Sequence, residues 1–268
     1  LICTKFNHQL LVEQASCLSV ETCKVNASKP GTAKSIPLSL KKSLNIMAQT
    51  LTPKTTPKPS SHLILGDISW EMYEKLLEVF AEHPALRITY YKGTLELMTP
   101  LPEHKTYGWT LGRLVTTLSE ELGLEIRGLK STTWRSLPKT AGKEADECFY
   151  IQNEALVCSK LKIDLSVDPP PDLAIEIDVT HSSIDKMAIY TELKIPEVWR
   201  WYKGQLKVNI LTDTGYVESE SSMAFESFPV RELAPFMRLD PQKGENARMR
   251  EFREWVRSVQ AGAVGDRK

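Results

Sequence analysis

The stretch PPPDLAIEIDVTHSS, residues 169–183, carries three carboxylates in one parity, Asp172, Glu176 and Asp178. In a β-strand successive side chains alternate faces. Leu173, Ile175, Ile177 and Val179 therefore make one aliphatic face, while Ala174 and the acids share the other. Carboxylates two apart on a strand face have Cα atoms about 7 Å apart. Glu176 and Asp178, joined by an acid from a neighbouring strand, could converge on a divalent ion, and Asp146 in EADECFY is such an acid. Hard oxygen ligands suit Mg²⁺ or Mn²⁺ rather than zinc. Without a cation the acids would repel one another and their pKa values would rise. On spacing alone, the same pattern also suits a solvent-facing strand of an antiparallel sheet.

The elements that must position these residues follow from periodicity. ISWEMYEKLLEVFAEH reads as an amphipathic helix capped by Asp67, with Trp70, Tyr73, Leu77 and Phe80 near helical spacing. RITYYKGTLELMTP reads as a hairpin turning at Lys92-Gly93. A long helix follows PEHK, with Leu111, Leu114, Val115 and Leu118 as its stripe and Gly123 closing it. Strands are expected around 125–127, 132–135, 146–151 and 171–179. A helix is expected from about Ser183 to Leu193, opening from a Ser-rich cap, then a hairpin of EVWRWY and QLKVNIL, and a last helix over 244–259. Strands and helices mixed in this way, with one very apolar central strand, indicate an α/β or α+β domain whose sheet is covered on at least one face.

Composition bounds the rest. The 268 residues are 41% hydrophobic with 34 basic and 34 acidic side chains, enough for one good-sized core, and no stretch approaches a membrane span. Residues 1–61 differ: eight lysines against two glutamates leave +6 there and −6 in the rest, and proline recurs at 30, 37, 53, 57 and 59. Ending in TLTPKTTPKPSS, this segment reads as a disordered or non-native extension with a Thr/Pro/Lys linker, Met47 being the natural start. The domain proper is expected over 62–240, with a C-terminal helix and tail over 241–268. The five cysteines form neither a CxxC pair nor an even disulfide framework, so Cys148 and Cys158 read as reduced core thiols and the compartment as cytoplasmic.

The segments PPPDLAIEIDVTHSSIDKMAIYTELKIPEVWRWYKG, EADECFYI and LELMTPLPEHKTYG together resemble the Uma family of bacterial restriction-endonuclease-like proteins, which has the PD-(D/E)XK nuclease fold. The resemblance covers roughly Ile68 to Leu211 and implies an α/β restriction-endonuclease-like core, a central mixed β-sheet flanked by helices, with an extra N-terminal helix and hairpin. It implies a metal-dependent endonuclease acting on nucleic acid, DNA rather than RNA, with Asp146 as the first acidic position and Glu176 as the glutamate of the second motif, both holding Mg²⁺. Asp172 matches the Pro-Asp pair before the glutamate, as an outer ligand or a structural cap. Two residues after the glutamate the general motif has lysine, whereas here stands Asp178. The nearest substitute is Lys186, with Tyr190 four residues on along the same helix face; Lys194 lies two turns away and should project to solvent. Glu103 could reach the metal from its helix or only complement the helix dipole, and His104 and His181 are weaker candidates. Trp199 and Trp201 read as packing, and Arg248, Arg250, Arg253 and Arg257 as a solvated helix face among glutamates. Cutting both strands of a duplex would call for a homodimer. The alternatives are a catalytically silent binding module on the same fold or a structural partner in an assembly; the negative charge of residues 62–268 suits non-specific DNA binding poorly.

Overall fold

The computed structural model describes residues 62–265 apart from 84, 131, 180–183 and 227. The extension read over residues 1–61 thus lies outside the described residues. Strand β1 (His62–Leu65) precedes helix α1 (Trp70–Val79), which is followed by the hairpin β2 (Arg87–Tyr91) and β3 (Thr94–Met98). The hairpin turns where predicted, Lys92 and Gly93 both adopting positive φ, as a tight two-residue turn requires. Helix α2 (Pro102–Leu122) ends on Gly123 in the left-handed conformation. The chain continues through β4 (Arg127–Gly128), β5 (Thr133–Arg135), β6 (Ala141–Glu144), β7 (Glu147–Tyr150), short helix α3 (Glu154–Val157) and β8 (Leu173–Asp178). Helix α4 (Lys186–Glu192), β9 (Glu197–Tyr202), β10 (Gln205–Thr212), β11 (Gly215–Ser219), a 3₁₀ segment (Val230–Met237) and helix α5 (Glu245–Gly265) complete it.

Two sheets form where one was expected: β1-β3-β2-β6-β5 and β11-β10-β9-β8-β7-β4. The second is the mixed sheet, β8 running parallel to β9 and antiparallel to β7. The chain steps from the first sheet into the second between β6 and β7, at Ala145-Asp146. Strand β6 was not foreseen, because AGKE has little strand propensity; its pairing with both β2 and β5 holds it in place. Gly142 in β6 is forced, since a Cβ there would lie 2.3 Å from Tyr73 Oη.

Several local expectations change. The cap of α1 is Ser69, whose side chain accepts from Met72 N, whereas Asp67 takes a positive φ of 55° in the preceding turn. Leu76, not Leu77, joins Trp70 and Tyr73 in the buried stripe. Helix α4 is capped by Asp185, accepting from Met187 N and Ala188 N; the predicted Ser182-Ser183 entry and His181 lie outside the described residues. Arginines of α5 are not merely solvated. Arg253 and Arg257 bind Glu121 on α2, and Arg248 is buried and donates to Arg238 O. Phe252 and Val256 join Leu111, Leu114 and Trp199 in the main core. Cys148 is a buried free thiol, as expected, but Cys158 is exposed.

Candidate active site

The acidic strand is not solvent-facing. Leu173 through Ile177 are all buried, because β8 is central: its odd face packs in the main core with α2, and Ala174 on the other face packs with Ile189 and Tyr190 of α4. Glu176 is 1% exposed, and a buried carboxylate survives only if paired and hydrogen-bonded. Its partners are Lys186 Nζ at 2.6 Å, Lys143 Nζ at 3.2 Å and the Tyr190 hydroxyl, which donates at 2.6 Å. Burial pushes the Glu176 carboxyl up, but the Lys143 and Lys186 ammonium groups and the bonds from Lys186 and Tyr190 outweigh it and hold it well below the usual carboxylate range. Burial works against the charged form of Lys186 too, yet Glu176 and Asp178 raise its pKa above the ordinary lysine value.

Asp178 accepts from Lys186 at 2.9 Å and from Arg200 Nε and Nη2 at 2.8 and 2.6 Å. Lys186 therefore bridges the two strand acids. Asp146 stands at the corner between the sheets, one step beyond the Glu147–Ile175 pairing of β7 and β8. Its Oδ2 accepts from Ile177 N at 2.8 Å, and its Oδ1 lies 3.4 Å from Arg87 Nη2 and 3.1 Å from His104 Nδ1. The last contact lacks hydrogen-bond geometry, leaving His104 Nδ1 buried without a hydrogen-bond partner.

A cleft of about 300 Å³ opens over Asp146, lined also by Arg87, His104, Lys105, Glu144 and Glu147. Gly112 lets α2 approach this corner: a Cβ there would crowd Glu147 Cδ at 3.2 Å, whereas one at Gly108 would only touch Asp146 Cβ at 3.8 Å. Burial pushes the Glu147 carboxyl up to about 7, with Asp146 adding to the rise while Lys130 and Arg87 oppose it.

The structure thus gathers Glu176, Asp178, Lys186 and Tyr190 into one network and sets Asp146 beside the peptide that follows Glu176. It does not bring Glu103 in: that residue is exposed in the first turn of α2, and His104 faces Asp146 instead. Asp172 is a structural cap, accepting from Ile151 N and Asn153 N at 2.7 and 2.9 Å. Trp199 and Trp201 are core, and Lys194 is exposed. Among the described residues, no group of three or more His, Cys, Asp and Glu side chains converges closely enough to hold a metal ion; Lys186 instead bridges Glu176 and Asp178, and Asp146 pairs with Arg87. Sequence reasoning missed Lys143, Arg87, Arg200 and Glu147. A lysine four positions before Glu147 in an unrecognised strand offered no periodic signal, while the parity of Arg200 between Trp199 and Trp201 placed it away from the aromatic face without naming a partner.

No helix among the described residues is long and apolar enough to cross a membrane. No curated protein matches the chain. A solved structure with which it aligns is the crystal structure of a putative nuclease belonging to DUF820 from Anabaena variabilis ATCC 29413; the two share 13% identity over 67% of this chain and 98% of that one, with a TM-score of 0.35. Residues 70–241 match the model of the Uma2 family, described as "Putative restriction endonuclease". With well over half its length matched, the chain belongs to the Uma2 family.

Proposed function

We propose that this protein is an endonuclease hydrolysing phosphodiester bonds of DNA, with Mg²⁺ or Mn²⁺ held by Asp146 and Glu176. The observation that carries the reading is Glu176, a fully buried carboxylate kept ionised by two lysines beside a second acid at the sheet junction. Buried ion pairs are poor stabilisers compared with apolar packing, so such a cluster argues for chemistry. Both acids offer hard oxygens, and Mg²⁺ commonly takes one or two carboxylates and keeps its waters; every oxygen of the pair already has a protein partner, so the ion would have to displace Lys143 or Lys186 from Glu176. When bound, such an ion activates water and neutralises charge on the phosphate.

The chain's own residues supply the remainder. Lys186 and Lys143 place positive charge where the phosphate becomes more negative, the role that fixed cations serve in such sites. Asp178 and Arg200 position Lys186, and Tyr190 fixes one Glu176 oxygen. Arg87 orients Asp146 at the cleft, with His104 beside it. The buried thiol of Cys148 suits the reducing cytoplasm. Thermal melting with and without Mn²⁺ tests the reading: a bound ion stabilises according to its concentration relative to Kd, so an upward shift that disappears in Glu176→Gln is expected, and no shift in the parent refutes it.

A further inference from the structure

We propose that Trp109 is a stacking platform for one unpaired base of the nucleic-acid strand presented to Asp146; the proposal rests on the nuclease reading above. Trp109 is 47% exposed, whereas Trp70, Trp134, Trp199 and Trp201 are buried and Trp255 is half-buried. It sits on α2 between Gly108 and Gly112, which face Asp146 and Glu147. The cleft over Asp146 and a second one of about 330 Å³ share Trp109, Lys130 and Glu147 as lining, so the indole stands where the two meet. A strand running from the carboxylates into the second cleft must cross it.

The surroundings suit a nucleotide. Lys130 Nζ and Arg113 Cζ lie over the ring, 5.7 and 6.0 Å from its centroid, so a stacking base would take the place of a cation that can swing to its flanking phosphate. Arg113 and Arg253 line the second cleft. The indole is also held in orientation: Nε1 donates to Glu245 Oε2 at 3.2 Å, and the same oxygen accepts from Arg113 at 3.1 Å. An aromatic face fixed among cations is how single strands are bound without sequence readout, since every base has a π-face. Bases within a duplex keep their faces in the stack, so the platform selects a strand that is unpaired or flipped at this point.

The test measures binding separately from cutting. A fluorescein-labelled 12-nucleotide single strand, as DNA and as RNA, is titrated with protein in EDTA and followed by anisotropy. Trp109→Leu should weaken binding about tenfold, within the range of one lost base–aromatic stack. Trp109→Phe keeps an aromatic face but cannot donate to Glu245, and should bind within about threefold of the parent. Duplex of the same sequence should show no dependence on residue 109. The proposal is overturned if Trp109→Leu binds as the parent does, if Leu and Phe lose affinity equally, which marks a purely structural role at Glu245, or if the parent binds neither strand. Plasmid nicking with Mn²⁺ on the same proteins separates the two readings. Nicking by the parent with binding indifferent to residue 109 removes the platform alone; residue-109-dependent binding without nicking removes the nuclease alone.

Discussion

Replacing Lys143 by Met tests how Glu176 is kept charged. Lys143 Nζ lies 3.2 Å from Glu176 Oε2, with side-chain exposures of 7% and 2%. Breaking a buried pair from one side costs about 3–5 kcal/mol. Because Lys186 and Tyr190 remain on the carboxylate, the loss belongs at the lower end, about 3 kcal/mol. For a domain of this size that lowers Tm by roughly 6–12 °C. The pH dependence gives the sign. In the parent the Glu176 pKa is depressed, so its contribution is present above the unfolded value and is lost as pH falls through the folded one. In the variant, burial faces one cation instead of two and the folded pKa moves up. On acidification Glu176 then takes up a proton, and the missing cation matters less. Urea unfolding at pH 7 and at the most acid pH where both remain folded should therefore show a gap between parent and variant that narrows in acid. A variant within about 0.5 kcal/mol of the parent at both pH values, or a gap widening in acid, would refute this account of the network.

Other outcomes follow from the same geometry. Lys186→Ala should lower cleavage about a hundredfold, the scale of one lost electrostatic stabiliser, while the Mn²⁺-induced rise in Tm survives or grows, since a neighbouring positive charge is gone; titrations of rate and Tm on one preparation check both. Gly142→Ala should destabilise by about 1–3 kcal/mol through overpacking against Tyr73, read as a lower urea midpoint with unchanged m. If both strands of a duplex are cut in one event, sedimentation at micromolar concentration should show a dimer; concerted breaks by a 30 kDa species would count against it.

Much of this was legible in the sequence where one residue type decides a conformation. Gly123 ends α2 and Lys92-Gly93 turns the hairpin, and both were readable because few residues accept positive φ. Parity put Glu176 and Asp178 on one face, and helical spacing put Lys186 and Tyr190 within reach of Glu176. Burial was not readable. Alternating acids look the same whether water or lysine answers them, and Lys143 comes from a strand whose sequence, AGKE, is shaped by Tyr73 packing on Gly142 rather than by propensity. Glu103 and His104 differ by one position, about 100° of helix rotation. Only the placement of α2 against the sheet junction selects His104 to face Asp146. The split into two sheets at Ala145-Asp146 depends on long-range pairing of β6 with β2, which no local pattern encodes.

The most direct measurement is nicking of supercoiled plasmid across a Mg²⁺ and Mn²⁺ series by the parent, Asp146→Ala and Glu176→Gln, with circular dichroism confirming that all three are folded. Metal-dependent nicking by the parent that both substitutions abolish is the predicted result. Nicking retained in folded Glu176→Gln, or cleavage indifferent to EDTA, would contradict the assignment of these two carboxylates as the metal-holding pair.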